Sequence, residues 1–264
     1  MVISISIDAE PDIHANTYKG IYIGIPSLLK ILDRYNIKVT FFVTCDCIEN
    51  YPKIFQKLKK QGHEIALHGY RHKRFDELSL NEKEDQIKKS IKCFRKYLKE
   101  NPRGFRAPQH SIDNGTLNLL EKYGFNYDSS YTPLNFLQLL FFPKKFKLWF
   151  KHFSSSLKIF KIRRNLCEIP PTSFIFPFVS LAIRIFPLWF LRKYIDLLTF
   201  LTPNIIFYAH SWDFIELPNS KIARFCPKEK FEKKLRLFLD YSTKRSNYIK
   251  MKDLYEKFMG KNEV

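Results

Sequence analysis

Apolar and polar residues alternate over Val2–Asp8, the period-two signature of a strand with two different faces. The pattern then switches to helical period over Pro26–Tyr35, returns to an apolar β-rich run at Lys38–Thr44, and repeats as a helix over Tyr51–Lys60 and a strand over His63–His68. This βαβα order predicts a parallel sheet. Ser79-Leu-Asn-Glu82 reads as a capping box opening a helix to about Glu100. A short strand at Gly104–Pro108 and a helix at about Thr116–Tyr123, closed by Gly124, follow. Later strands are expected at Leu166–Ile169 and Ile205–Ala209, with a helix from Pro227 to about Thr243. With some seven or eight strands, a barrel competes well against an open sheet. With no internal repeat or low-complexity linker, the 264 residues read as a single domain.

Composition sharpens this reading in two places. The chain is 45% apolar and 27% charged, which excludes a disordered or collagen-like protein, and its 45 Lys+Arg against 26 Asp+Glu give a formal charge of +19. Such a charge suits polyanions, anionic lipid headgroups or acidic substrates. Residues 131–202 stand out as a basic, aromatic-rich insert with 13 of the 26 Phe, two of the three Trp, and 11 Lys+Arg against 2 Asp+Glu. Trp149, Phe150 and Trp189 beside Lys144-Lys145, Arg163-Arg164 and Arg192-Lys193 have the make-up of interfacial helices on an anionic membrane, which would make the substrate lipid-linked. The competing reading is that these aromatics roof the barrel or form a dimer contact. Phe174–Leu191 has the length of a membrane span but is interrupted by Arg184, Pro177 and Pro187, so no span is expected. Five cysteines and no signal-peptide pattern at Met1 predict reduced thiols and a cytoplasmic protein, peripheral on the cytoplasmic membrane face if the insert binds lipid.

Chemistry-bearing residues fall where predicted strands end, which is where α/β barrels hold their active sites. The first strand ends in Asp8-Ala-Glu10, two carboxylates on one side. The third ends in His68-Gly-Tyr-Arg-His72, an i,i+4 histidine pair suited to one metal ion. The fourth gives Arg106-Ala-Pro108, and the late strand runs into His210. Singly, these are a solvated strand end, a loop accident, an ion pair and a core histidine. Together, two imidazoles and a carboxylate make a three-ligand site with an open position, which favours metal-assisted hydrolysis. Cys45-x-Cys47 lacks the Cys-x-x-Cys spacing and reads as structural thiols; His14, His63 and His152 receive no role.

The ordered set Ser-Ile-Asp8-Ala-Glu10, His68-x-x-x-His72, Phe105-Arg106-Ala-Pro108-Gln-His-Ser-Ile, Tyr127-Asp128-Ser-Ser130, Glu168-Ile-Pro and Tyr208-Ala-His210-Ser-Trp212 resembles the polysaccharide deacetylases of the NodB-homology type, in their Asp-x-Glu branch. The resemblance runs from the first strand to about Phe214, apart from residues 131–165. It implies a distorted (β/α)7 barrel that removes acetyl groups from N-acetylated sugars of a glycan or glycolipid with one divalent metal ion, Zn²⁺ by the ligand set. By the same matching Asp8 is the general base, Glu10, His68 and His72 hold the metal, Arg106 orients Asp8, the Gln109 backbone N–H faces the oxyanion, and His210 is the general acid. His110, Asp128 and Trp212 are expected to line the pocket.

The chain departs from the family in three places: Glu10 stands where many members have an adjacent second Asp, Gln109-His110 replaces a common tyrosine, and Val179-Ser-Leu-Ala-Ile-Arg184-Ile-Phe-Pro187 replaces a Gly-Gly-containing segment. The substrate side is therefore expected to have diverged. Amide hydrolysis in the branch that cleaves cyclic amides or ureides is the nearest alternative. A non-haem iron oxygenase is disfavoured because Glu10 lies 58 residues upstream of the first histidine rather than two beyond it. Nucleic-acid binding is disfavoured because no helix-turn-helix, zinc-finger, KH or RRM pattern is present. A non-catalytic carbohydrate- or membrane-binding derivative is opposed by the full set of competent polar residues. The glycan, the acyl group and the oligomeric state are not encoded in any motif.

Overall fold

The computed structural model describes residues 1–12, 17–133, 156–217 and 220–262. Its strands are β1 (Val2–Ala9), β2 (Thr40–Val43), β3 (Glu64–Leu67), β4 (Gly104–Phe105), β5 (Tyr127–Asp128), β6 (Phe160–Lys161), β7 (Cys167–Glu168), β8 (Asn204–His210) and β9 (Asn247–Tyr248). Seven of them run parallel in the spatial order β7-β5-β4-β3-β2-β1-β8. β6 adds antiparallel to the edge of β7, and β9 pairs with the start of β1. Among the described residues no ladder joins β7 to β8. The seam is instead bridged by Thr172, whose N–H donates to the Ile206 carbonyl at 3.0 Å and whose hydroxyl accepts the Ile206 N–H at 2.8 Å. The expected distorted (β/α)7 barrel is thus present, with one side closed by loop rather than by strand.

Side-chain parity explains what fills it. On β1, Ile3, Ile5 and Ile7 point outward to the helices, while the buried Ser4, Ser6 and Asp8 face the lumen. The lumen also takes Phe42, Ala66, Tyr127, Cys167 and Ile206, and Met251 and Leu254 of the final helix (Met251–Asn262) plug its lower end. Buried Glu64 accepts the Lys252 N–H at 3.0 Å and Thr40 Oγ1 accepts the Met251 N–H at 2.9 Å, so the first-turn donors of that plug are satisfied inside the barrel. The opposite end, where the strands terminate, is left to polar side chains.

The expected helices form at Ile25–Arg34, Pro52–Lys60, Leu80–Leu98, Asn114–Lys122 and Lys228–Ser242. Ser79 and Glu82 make the predicted reciprocal cap. The predicted strand at Gly104–Pro108 is shorter, because after Phe105 the chain turns and Pro108 removes a ladder donor. Helices Ser180–Ile185 and Leu188–Leu201 carry no sharp period and were not expected. Much of the stretch read as an insert is barrel wall: β6, β7 and the buried Phe176, Phe178, Tyr194 and Leu198 all belong to it. Phe174–Leu191 is broken into a loop and parts of two helices, with Arg184 buried; among the described residues no helix is long and apolar enough to cross a membrane. Lys144, Lys145, Trp149, Phe150 and His152 lie outside the described residues, as does His14.

Candidate active site

Parity along β1 and β3 carries Asp8 and His68 from the lumen face to the open end of the barrel, where Glu10 follows Asp8. Gly69, at φ 89°, takes a left-handed turn that reverses the chain and returns His72 to the same point. Glu10, His68 and His72 offer ligand atoms that all lie within 4.8 Å of one another. Glu10 Oε2 is 3.2 Å from His68 Nε2 and 2.7 Å from His72 Nε2. His68 Nδ1 donates to the Arg106 carbonyl at 2.8 Å, which orients the ring with its Nε2 toward Glu10. Burial works to raise the Glu10 carboxyl, but hydrogen bonds from His68 and His72 hold it well below the usual carboxylate range. A carboxylate flanked by two imidazole nitrogens, one with a fixed tautomer, fits a divalent cation.

Asp8 is the partner of a fully buried arginine. Arg106 Nη1 donates to Asp8 Oδ1 at 2.7 Å, while its Nε and Nη2 donate to the Ser129 carbonyl and hydroxyl at 3.0 and 2.9 Å. Its guanidinium lies 4.2 Å from the Phe42 ring centre and 5.2 Å from that of Tyr208. Burial pushes the Asp8 carboxyl up, and the charges of Arg106, His68 and His210 more than reverse this, so it stays ionised. Beyond Pro108 the backbone enters the left-handed region twice in succession, at Gln109 (φ 54°) and His110 (φ 57°), a conformation costing about 1–3 kcal/mol per non-glycine residue.

On the far side, β8 ends in His210. Its backbone N–H donates to Asp213 Oδ2 at 2.9 Å, and its Nδ1 lies 3.7 Å from the same oxygen, a charge contact rather than a hydrogen bond. Asp213 is itself held by buried Arg184, whose Nη2 donates to the Asp213 carbonyl at 2.8 Å and to Oδ1 at 3.3 Å. Burial opposes a charged imidazole, but Asp213, Glu10 and Asp8 outweigh it and raise His210 to about 9. Trp212 stacks on His210 with ring centres 4.2 Å apart and donates its indole N–H to Glu10 Oε1 at 3.2 Å.

Residues 6–127 match the family model described as polysaccharide deacetylase. That match covers just under half of the chain. Among curated relatives similar to this chain are the peptidoglycan deacetylase-like protein FGM2 of Gibberella zeae, 40% identical over 121 residues (45% of this chain, 36% of that protein), and the peptidoglycan deacetylase of Helicobacter pylori, 32% identical over 123 residues (47% and 42%). The matched stretch thus spans less than half the length of either. Over the whole chain the fold is shared with a Mycobacterium smegmatis candidate polysaccharide deacetylase (TM-score 0.72, 17% identity, 99% of this chain and 91% of that one) and with PuuE allantoinase (TM-score 0.69, 14% identity, 97% and 89%).

All seven residues expected to act, Asp8, Glu10, His68, His72, Arg106, Gln109 and His210, gather at one end of the barrel. Trp212 joins two of them, His210 and Glu10. His110 sits beside the group, with Nδ1 3.1 Å from the Ser130 carbonyl and its ring 5.4 Å from that of Tyr208. Asp128 is the exception. Expected in the pocket, it is fully buried on the opposite face of the sheet: it is register partner to Phe105 and Glu168, whereas the neighbouring Tyr127 points into the lumen. A two-residue strand gives too little pattern to fix which face a side chain takes. The sequence reading also missed Asp213, although it stands three residues after His210, and gave Arg184, noted as an interruption and within the diverged Val179–Pro187 segment, no role in the site. The cysteines are free and buried, as expected of structural thiols.

Proposed function

We propose that this chain is a metal-dependent hydrolase that removes N-acetyl groups from a glycan or lipid-linked saccharide, with residues 1–264 acting as one catalytic domain. The observation that carries this reading is the convergence of three units on one point: the Asp8–Arg106 pair, the Glu10/His68/His72 cluster and the His210–Asp213 pair. Glu10, His68 and His72 would hold a divalent ion, for which this donor set favours zinc, and that ion would supply Lewis acidity toward the attacking water and the acetyl carbonyl. Asp8, kept ionised by Arg106, accepts the proton of the attacking water. The Gln109 N–H, in the left-handed turn beyond Pro108, donates to the developing oxyanion. His210, a cation at neutral pH, delivers a proton to the departing sugar nitrogen, while Trp212 fixes its plane. The curated relatives named for peptidoglycan support an N-acetylated glycan as substrate, and the five unpaired cysteines support a reducing, cytoplasmic setting.

The test is bound-metal analysis together with acetate release from a panel of chitooligosaccharides, peptidoglycan fragments and lipid-linked N-acetylhexosamines. Chelator-sensitive acetate release is expected. Hydrolysis of cyclic ureides such as allantoin with no acetate from any sugar would overturn the choice of substrate.

A membrane seat is favoured by the outer face of helix Leu188–Leu201. Trp189 (66% exposed), Lys193, Leu197 and Phe200 (87% exposed) recur there at i, i+4, i+8 and i+11, an exposed aromatic stripe with a cation inside it. Each further cation near an anionic leaflet adds about 1 kcal/mol. Sedimentation with anionic but not neutral liposomes, weakened by salt and by Trp189→Ser with Phe200→Ser, is expected; no sedimentation at low salt refutes it.

A further inference from the structure

Behind the site lies a pair of buried carboxyls that the mechanism leaves unused. Asp128 and Glu168 are register partners on β5 and β7, and neither is accessible to water. Donors around them are few. Asp128 Oδ1 accepts the Ser130 hydroxyl at 2.6 Å and its Oδ2 the Ser130 N–H at 3.3 Å, while Glu168 Oε1 accepts the Tyr131 N–H at 3.0 Å. Glu168 Oε2 is buried with no donor among the described residues. The cations nearby are committed elsewhere: Arg106, from the end of β4, holds Asp8 and Ser129, and Arg163 holds Asn114, Asn118 and the Ile162 carbonyl. From β6 the residue opposite Glu168 is Phe160, and His110 meets this region through the Ser130 carbonyl. Two ionised carboxylates side by side, one with an oxygen that nothing solvates, would be strongly unfavourable; a proton on that oxygen makes it the missing donor.

We propose that Asp128 and Glu168 hold one proton between them, and that this hydrogen-bonded pair is a positioning element for Arg106 and the Ala107–Gln109 turn. The connection is short. Asp128 fixes Ser130, whose Oγ accepts the Ala107 N–H at 2.8 Å; Ser129, between the two, accepts both remaining arms of Arg106. Burial raises both carboxyls, Asp128 to about 6 and Glu168 well above its usual value. Only the statement of what Arg106 serves rests on the deacetylase reading; the shared proton stands without it.

The sign of the pH effect follows. A carboxyl with a raised folded pKa contributes stability that is fully present below the unfolded value of 4.5 and is lost as pH rises through the folded one. Over that window one extra bound proton lowers the folding constant by about tenfold per pH unit. Glu168→Gln keeps a donor toward Asp128 but does not titrate. Denaturant unfolding of both proteins across this window is expected to show the natural protein losing stability relative to Glu168→Gln as pH rises, and infrared spectra to show a protonated-carboxyl band that the variant lacks. Parallel stability curves and no such band would overturn the shared proton. For positioning, Glu168→Leu is expected to lower kcat for acetate release with KM unchanged, and Glu168→Gln to retain it; equal kcat in the natural and Leu proteins overturns that role. Should the Leu variant not fold, a Glu168→Gln protein that itself loses kcat overturns it equally. If none of the proteins releases acetate, the functional reading fails and the unfolding curves still decide the proton.

Discussion

Replacing Asp213 by Asn removes one of the three carboxylate charges that hold His210 as a cation while leaving an oxygen for the His210 N–H and for Arg184. The rise of His210 from 6.5 to about 9 corresponds to about 3 kcal/mol in favour of the imidazolium. At the observed 3.7 Å and an effective dielectric near 20, the Asp213 charge alone accounts for about 4 kcal/mol, against the opposing cost of burial. Glu10 and Asp8 still act in the variant. The expected fall is therefore about one to two pH units. Because the folded pKa of His210 is raised, its contribution to stability is fully present below 6.5 and lost as pH rises through about 9; the variant forfeits most of it. The assay is an NMR titration of the imidazole C–H resonances in metal-free natural and Asp213→Asn proteins, paired with pH profiles of kcat for each loaded enzyme. The alkaline limb of kcat is expected to move to lower pH together with the titration. A cation bound at Glu10 cancels part of the negative field, so both limbs lie lower in the loaded enzymes. An unchanged His210 titration in the variant would refute the electrostatic assignment, and a shifted titration with an unchanged kcat profile would refute His210 as the acid.

Other outcomes follow from the same geometry. Asp8→Asn is expected to abolish turnover while keeping the metal, whereas His68→Ala and His72→Ala lose both, as metal analysis after gel filtration will show; equal metal loss in all three would refute the division between base and ligands. Trp212→Phe keeps the stack on His210 but removes the donor 3.2 Å from Glu10, and is expected to weaken metal affinity by about tenfold, with little change in fold stability by thermal unfolding. Gly24→Ala would drive a Cβ into the Ser211 carbonyl oxygen, next to His210, and is expected to cost about 1–3 kcal/mol of stability in urea titration as well as to lower kcat.

Local pattern was enough for the parts of this protein that depend on residues near one another in the chain. The alternation on β1, the helical periods that follow it and the Ser79/Glu82 cap each state their own geometry within a few residues. The i,i+4 spacing of His68 and His72 and the strand-end position of Asp8 and Glu10 likewise indicated the Glu10/His68/His72 cluster, because strand ends in a parallel barrel converge at one rim. The pairing of Arg106 with Asp8, 98 residues apart, was legible only through resemblance to a family, since nothing local indicates which carboxylate an arginine will meet. Tertiary structure alone decided the rest. Arg184 and Asp213, 29 residues apart, meet because helix Ser180–Ile185 packs against the end of β8. Asp128 turns from the pocket toward Glu168 because pairing with β4 and β7, not any pattern in two residues, sets its face. The aromatic run of residues 159–201 divides into buried wall and exposed stripe for the same reason: apolar residues favour burial everywhere, and only the packing of neighbours determines which of them reach it.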